Sequence, residues 1–130
     1  MLNELQDALQ TIYGIDLPHR VEDFVIGRAQ LQQLGQSERA PETLYVQEID
    51  GDVDIGLYIS PEVMRSLPNL GRVGHELMSA LLPAFTTAVE GVSHFVYLTL
   101  QALRDRAVSM LELEVQAEID KFATSALHLW

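Results

Sequence analysis

Glu90 and His94 stand four residues apart in a stretch with almost no other charge. On a helix that spacing puts both side chains on one face, one turn apart. With Glu118, brought across by a reversal of the chain, they would form a group of two carboxylates and an imidazole in an apolar setting. Such a group suits a divalent metal such as zinc, manganese or iron. It also suits acid–base work, because burial and neighbouring charge move the pKa values of these groups toward neutrality. The competing expectation is a buried Glu–His hydrogen bond that holds the core in register. Glu90-Gly-Val-Ser-His94 is one residue longer than the Glu-x-x-His pair of di-iron bundles.

Two helices must position this group. From Leu77 to Leu103 the single charged residue is Glu90. A surface helix normally carries a charged face, so this segment reads as a central helix, surrounded by the rest of the domain or by a second subunit. Its strongest apolar face collects Phe85, Ala88, Val89, Val92, Phe95, Val96, Thr99 and Leu103. Glu90, His94, Tyr97 and Gln101 fall opposite. Pro83 should break or kink the helix, or open a fresh one. The segment is too interrupted by polar residues for a membrane span. Arg104-Asp105-Arg106 is the plausible reversal, and a turn there sets His94 level with Glu118, with Glu112 or Glu114 nearby. The last helix runs from about Ala107 with an apolar stripe of Val108, Leu111, Val115, Ile119, Phe122, Ala126 and Leu129. Glu114, Glu118 and Lys121 are neighbours along it, the spacing of local ion pairs.

Other constellations are incomplete. Asp50, Asp52 and Asp54 alternate like the start of a calcium loop, but the sixth position is Ile55 and the twelfth Pro61, where glycine and glutamate are required. His75-Glu76-Leu77-Met78-Ser79 opens like a zincin helix and then lacks the second histidine. Ser93 and His94 are adjacent on a helix and point about 100° apart, so they are no nucleophile–base pair. No glycine-rich phosphate loop follows a strand. His19, beside Pro18 in a turn, reads as an exposed loop histidine. Tyr45, Tyr58 or Tyr97 could line a small-ligand pocket.

The clearest local structure is a hairpin. Asp50-Gly51 between alternating apolar runs signals a two-residue type I′ turn. It pairs Leu44 with Leu57, Val46 with Ile55 and Glu48 with Val53. One face then collects Leu44, Val46, Val53, Ile55, Leu57 and Ile59, and the other Tyr45, Gln47, Asp52, Asp54 and Tyr58. Before it, Leu2, Leu5, Leu9 and Ile12 mark a first helix ended by Gly14. Val21 to Leu34 fits a second, stopped by Gly35, with a short strand at Asp23–Ile26 as the alternative. Ser60-Pro61-Glu62 starts a short helix that stops before Pro68, and 69–74 is a loop. The expected fold is α+β: two short N-terminal helices, a central hairpin, and a C-terminal layer of helices packed on it.

A chain of 130 residues supports one domain, 1–130. Eight basic residues against nineteen acidic ones give a net charge of −11, which repels nucleic acid and anionic membrane surfaces. There is no cysteine, so thiolate metal sites and cysteine nucleophiles are excluded. The N-terminus lacks a secretory pattern, and a cytoplasmic location is expected. The segments VEGVSHF (89–95) and LELEVQAEIDKF (111–122) resemble segments of an uncharacterised bacterial protein family. That family has no assigned activity, so the resemblance implies no functional residue. The leading expectation is a non-enzymatic interaction or regulatory module, a homodimer or bound to a protein partner. The rival is a metal-binding protein or small metal-dependent hydrolase using Glu90, His94 and Glu118.

Overall fold

The computed structural model describes residues 1–36, 40–67 and 75–129, with side chains at all of these except 49, 75–81 and 127–129. The order is α1 (Leu2–Tyr13), a single 3₁₀ turn (Val21–Phe24), β1 (Val25–Ile26), α2 (Arg28–Gln33), β2 (Glu42–Ile49), β3 (Asp52–Ile59), α3 (Pro61–Ser66), α4 (His75–Leu103) and α5 (Met110–Leu129). The class is α+β, with helices on either side of the hairpin in sequence. The 69–74 loop and the side chains of His75, Glu76 and Ser79 fall outside the described residues.

The hairpin forms in the expected register. Leu44 lies opposite Leu57, Val46 opposite Ile55 and Glu48 opposite Val53. Asp50 and Gly51 both take positive φ, 52° and 85°, as a type I′ turn demands. The apolar face meets α4 at its base, where Leu57 and Ile59 are buried, while Val46 and Val53 near the turn overhang the body and stay exposed. At Gly91 the approach is close: a Cβ there would meet Leu57 Cδ1 at 3.2 Å. Only a glycine lets the helix backbone lie this near the sheet without displacing the leucine.

Two expectations about this region are corrected. The Val21–Leu34 segment is not one helix. The alternative strand within Asp23–Ile26 forms instead, as β1, between a 3₁₀ turn and a short helix, and it pairs parallel to β3, making a three-stranded sheet in the order β1-β3-β2. A strand on β3's free edge satisfies backbone groups that a two-stranded hairpin leaves open. Tyr58, assigned to the polar face, is buried, with Ile26 of β1 as its register partner on the adjacent strand. The Ile26 side chain lies directly over Gly56 on the same side.

α4 is the central helix that its missing charges predicted. Residues 88, 89 and 91 to 96 are buried on all sides of it, and it touches α1, α3, α5, β2 and β3. It runs unbroken through Pro83, whose carbonyl accepts from the Thr86 and Thr87 hydroxyls at 3.0 and 2.9 Å. The core gathers Leu2, Leu5 and Leu9 of α1 with Leu57, Ile59, Phe85, Val89, Val92 and Phe95. Buried Gln6 and Gln10 fasten the segment after α1, accepting from Val21 N at 2.7 Å and Leu17 N at 3.3 Å.

α5 is turned the other way from most amphipathic helices. Leu113, Ala117, Asp120 and Thr124 face α4 and are buried. The apolar stripe faces outward: Leu111 is 72% exposed, Val115 51%, Ile119 50% and Phe122 78%. An amphipathic helix normally buries its apolar stripe. Here a mixed stripe, two apolar and two polar residues, is buried in its place.

Candidate functional site

The junction of α4, α5 and the base of β2 holds the titratable groups that share a buried neighbourhood. α4 ends at a Schellman cap: Arg106 N donates to Gln101 O at 2.9 Å and Asp105 N to Ala102 O at 3.1 Å. Asp105 takes the left-handed conformation, φ 53°, where glycine is usual. This is the reversal expected at Arg104–Arg106. The chain then stays non-helical to Ser109, whose hydroxyl caps the next helix by accepting from Glu112 N at 3.1 Å.

That connection shifts α5 by about one turn against the expected pairing. His94 meets Glu114, not Glu118. Glu90, His94 and Glu114 each bring one ligand-type atom to within 4.8 Å of the others. Glu118 is 71% exposed and is held by Lys121, whose Nζ lies 2.9 Å from it and 3.0 Å from Glu90. So of the three residues expected to meet, Glu90 and His94 do, and Glu118 reaches them only through the lysine.

Glu42 completes the group and was not anticipated. It begins β2, and its Oε2 lies 3.8 Å from His94 Nδ1, while Glu114 Oε1 lies 3.8 Å from Nε2. The imidazole is therefore flanked by carboxylates at both nitrogens. The alternation of the hairpin carried the signal. Residues 42, 44 and 46 share a face, and Leu44 and Val46 point to the helices. Glu42, His94 and Glu114 also line one cavity of about 250 Å³, with Thr43, Leu44 and Met110. The imidazole thus has a path to solvent although its side chain is only 7% exposed.

Burial acts on both ends of this group. It pushes the Glu42 carboxyl up to about 7, helped by the charges of Glu90 and Glu114 and opposed by Lys121. It also pushes His94 below the usual imidazole range, against the pull of Glu114 and Glu90. Both groups resist carrying charge, as partly desolvated groups do. Three carboxylates, Glu42, Glu90 and Glu114, face one neutral-leaning imidazole and one ammonium, Lys121. In chemical terms the arrangement can bind a cation or exchange a proton. Among the described residues the imidazole Nε2 has no hydrogen-bond partner, which is not the arrangement of a Glu–His hydrogen bond.

A second polar group on the same helix is structural. Buried Asp120 accepts from Ser93 Oγ at 2.5 Å, from Gln116 Nε2 at 3.0 Å, and from the Tyr13 hydroxyl. These three donors tie α1, α4 and α5 to one carboxylate. The Tyr13 phenol is pushed up to about 12, first by burial and then by Asp120. Tyr97, Tyr13, Leu100 and Arg104 line a neighbouring cavity of about 230 Å³. Tyr97 itself donates to Glu112 at 2.9 Å, and Arg106 donates to the same carboxylate at 2.8 Å.

Asp50, Asp52 and Asp54 lie at the exposed tip of the hairpin in turn and strand geometry. No helix among the described residues is long and apolar enough to cross a membrane. Comparison with protein-family models, with curated proteins and with solved structures finds no match for this chain.

Proposed function

We propose that this chain is a non-enzymatic protein-interaction module that works as a homodimer through the outer face of α5. The carrying observation is the exposed row of Leu111, Val115, Ile119 and Phe122. Four large apolar side chains in one row, spaced by three or four residues, make a seam for a second helix. A monomer leaves such a seam in water only at the cost of solubility. α5 has 20 residues, about 30 Å of rod at the usual helical rise, long enough to lie along a copy of itself.

A second copy is favoured over an unrelated partner by the shape of the row: a straight line of four apolar side chains on one rod fits its own copy about a twofold axis, as an isologous interface requires. The wider charge of −11 per chain opposes association, so added salt should tighten the dimer by screening.

Sedimentation equilibrium of the full chain at micromolar concentration should give twice the mass of 14.5 kDa. The double variant Val115→Glu/Phe122→Glu should give a monomer with an unchanged far-UV circular dichroism spectrum, since neither side chain supports the fold from inside. A wild-type chain that stays monomeric throughout this range overturns the proposal.

A further inference from the structure

We infer that Glu90, His94 and Glu114 bind one divalent transition-metal ion, with Glu42 holding the far side of the His94 ring. The inference stands apart from the α5 seam and needs no second copy.

The first observation is geometric. One nitrogen and two carboxylate oxygens lie within 4.8 Å of one another. Ligands about 2.0–2.2 Å from a common ion sit roughly 3–3.5 Å apart in tetrahedral geometry. Side-chain shifts of about an ångström therefore close the set, with no movement of either helix. The second observation is independent of the acids. The His94 side chain is more than nine-tenths buried, and its Nε2 is unpartnered among the described residues while facing Glu114. A buried polar nitrogen without a partner is costly, and an ion supplies the partner that this site lacks. The third is Glu42. A ligating histidine almost always presents its other ring nitrogen to a carboxylate or carbonyl, which fixes the tautomer and raises basicity. Glu42 Oε2 stands 3.8 Å from Nδ1, beside that nitrogen and a small side-chain shift short of such a bond.

The donor set names the class of ion. An imidazole with carboxylates suits zinc, manganese or iron, whereas calcium and magnesium take oxygen-only shells. The cavity of about 250 Å³ against Glu42, His94 and Glu114 offers the ion an entry path and room for water as a further ligand. Lys121 already uses one oxygen of Glu90, so the ion and the ammonium share that carboxylate.

The test is isothermal titration of the full chain, freed of metal, with Zn²⁺ and separately with Mn²⁺, alongside thermal melts. One ion per chain should bind, and the melting temperature should rise with it. Glu42→Gln should keep the stoichiometry and lose about 10- to 100-fold in affinity. His94→Gln and Glu114→Gln should lose more than that. Glu118→Gln should lose less than about threefold, since a carboxylate outside the shell adds only screened attraction. Glu114 is half exposed, so its variant keeps the fold and carries the test if His94→Gln does not. Absence of saturable one-to-one binding overturns the inference. So does binding that survives both ligand substitutions, or that Glu118→Gln weakens as much as Glu114→Gln does.

Discussion

The hairpin and the last helix sort their side chains in opposite ways. At the base of the hairpin the apolar face turns inward and is buried, at Leu57 and Ile59. On α5 the apolar row turns outward, and Leu113, Ala117, Asp120 and Thr124 are buried against α4. Both patterns follow from the body each element meets. The sheet meets an apolar side of α4 around Gly91. α5 meets the side that carries Ser93, His94 and Tyr97, where a second row of leucines would strand polar groups without partners. A contact between two helices that mixes polar with apolar groups gives less burial energy than a wholly apolar one. It gives instead a set of fixed, convergent groups, which is what a binding site requires, and it leaves the apolar row free to meet another chain.

The sharpest way to break this comparison is to truncate one leucine in each region. Leu57→Ala, at a fully buried position, should cost about 2–5 kcal/mol of unfolding free energy by chemical denaturation. Leu111→Ala should change the stability of the dilute, monomeric chain by no more than about 0.5 kcal/mol, while weakening self-association. Equal losses from the two would mean that α5 packs its apolar row inside.

A smaller effect probes the inner face of α5. Asp120→Ala removes the acceptor of Ser93, Gln116 and Tyr13. The loss should be about 1–3 kcal/mol, set by the buried serine hydroxyl, since the other two donors can turn to water. Asp120→Asn keeps one acceptor oxygen and should recover part of it. A neutral outcome for Asp120→Ala in denaturant titrations would remove the clasp from the list of what orients α5.

The smallest effect is a titration. The Tyr13 phenol is raised to about 12 from an ordinary value of 10.0. The folded state therefore holds this proton more tightly than the unfolded chain does. The stabilisation is fully present below pH 10.0 and fades as pH rises through about 12. Absorbance of tyrosinate against pH should show a late-ionising tyrosine that Tyr13→Phe removes. If the wild-type and variant titrations differ only by one ordinary tyrosine, the phenol is not held by Asp120.

Much of this organisation is legible in the residues alone. Asp50-Gly51 dictates a turn with two positive φ angles, and that turn fixes which residues oppose each other. The same alternation puts Glu42 on the face of Leu44 and Val46, a consequence present in the sequence and overlooked because the acid lies at the strand's end. The scarcity of charge between Leu77 and Leu103 marks a helix whose middle turns, at residues 88, 89 and 91 to 96, are buried. Gly14 and Gly35 end their helices in the left-handed conformation.

What the tertiary structure alone decided is which surfaces meet, and at what offset. β1 is two residues long and pairs with a strand some thirty residues away, so the residues offer a strand within Asp23–Ile26 only as an alternative and cannot name its partner. The reversal after α4 is visible at Arg104–Arg106, but its length is not, because Asp105 takes a conformation that sequence assigns to glycine. A connection longer by a few residues moves a helix by a full turn, and that turn exchanges Glu118 for Glu114 beside His94. The apolar row of α5 is plain on a helical wheel, yet a wheel has no outside. Hydrophobic periodicity marks an apolar face, and only the packed neighbours determine whether the same chain covers it.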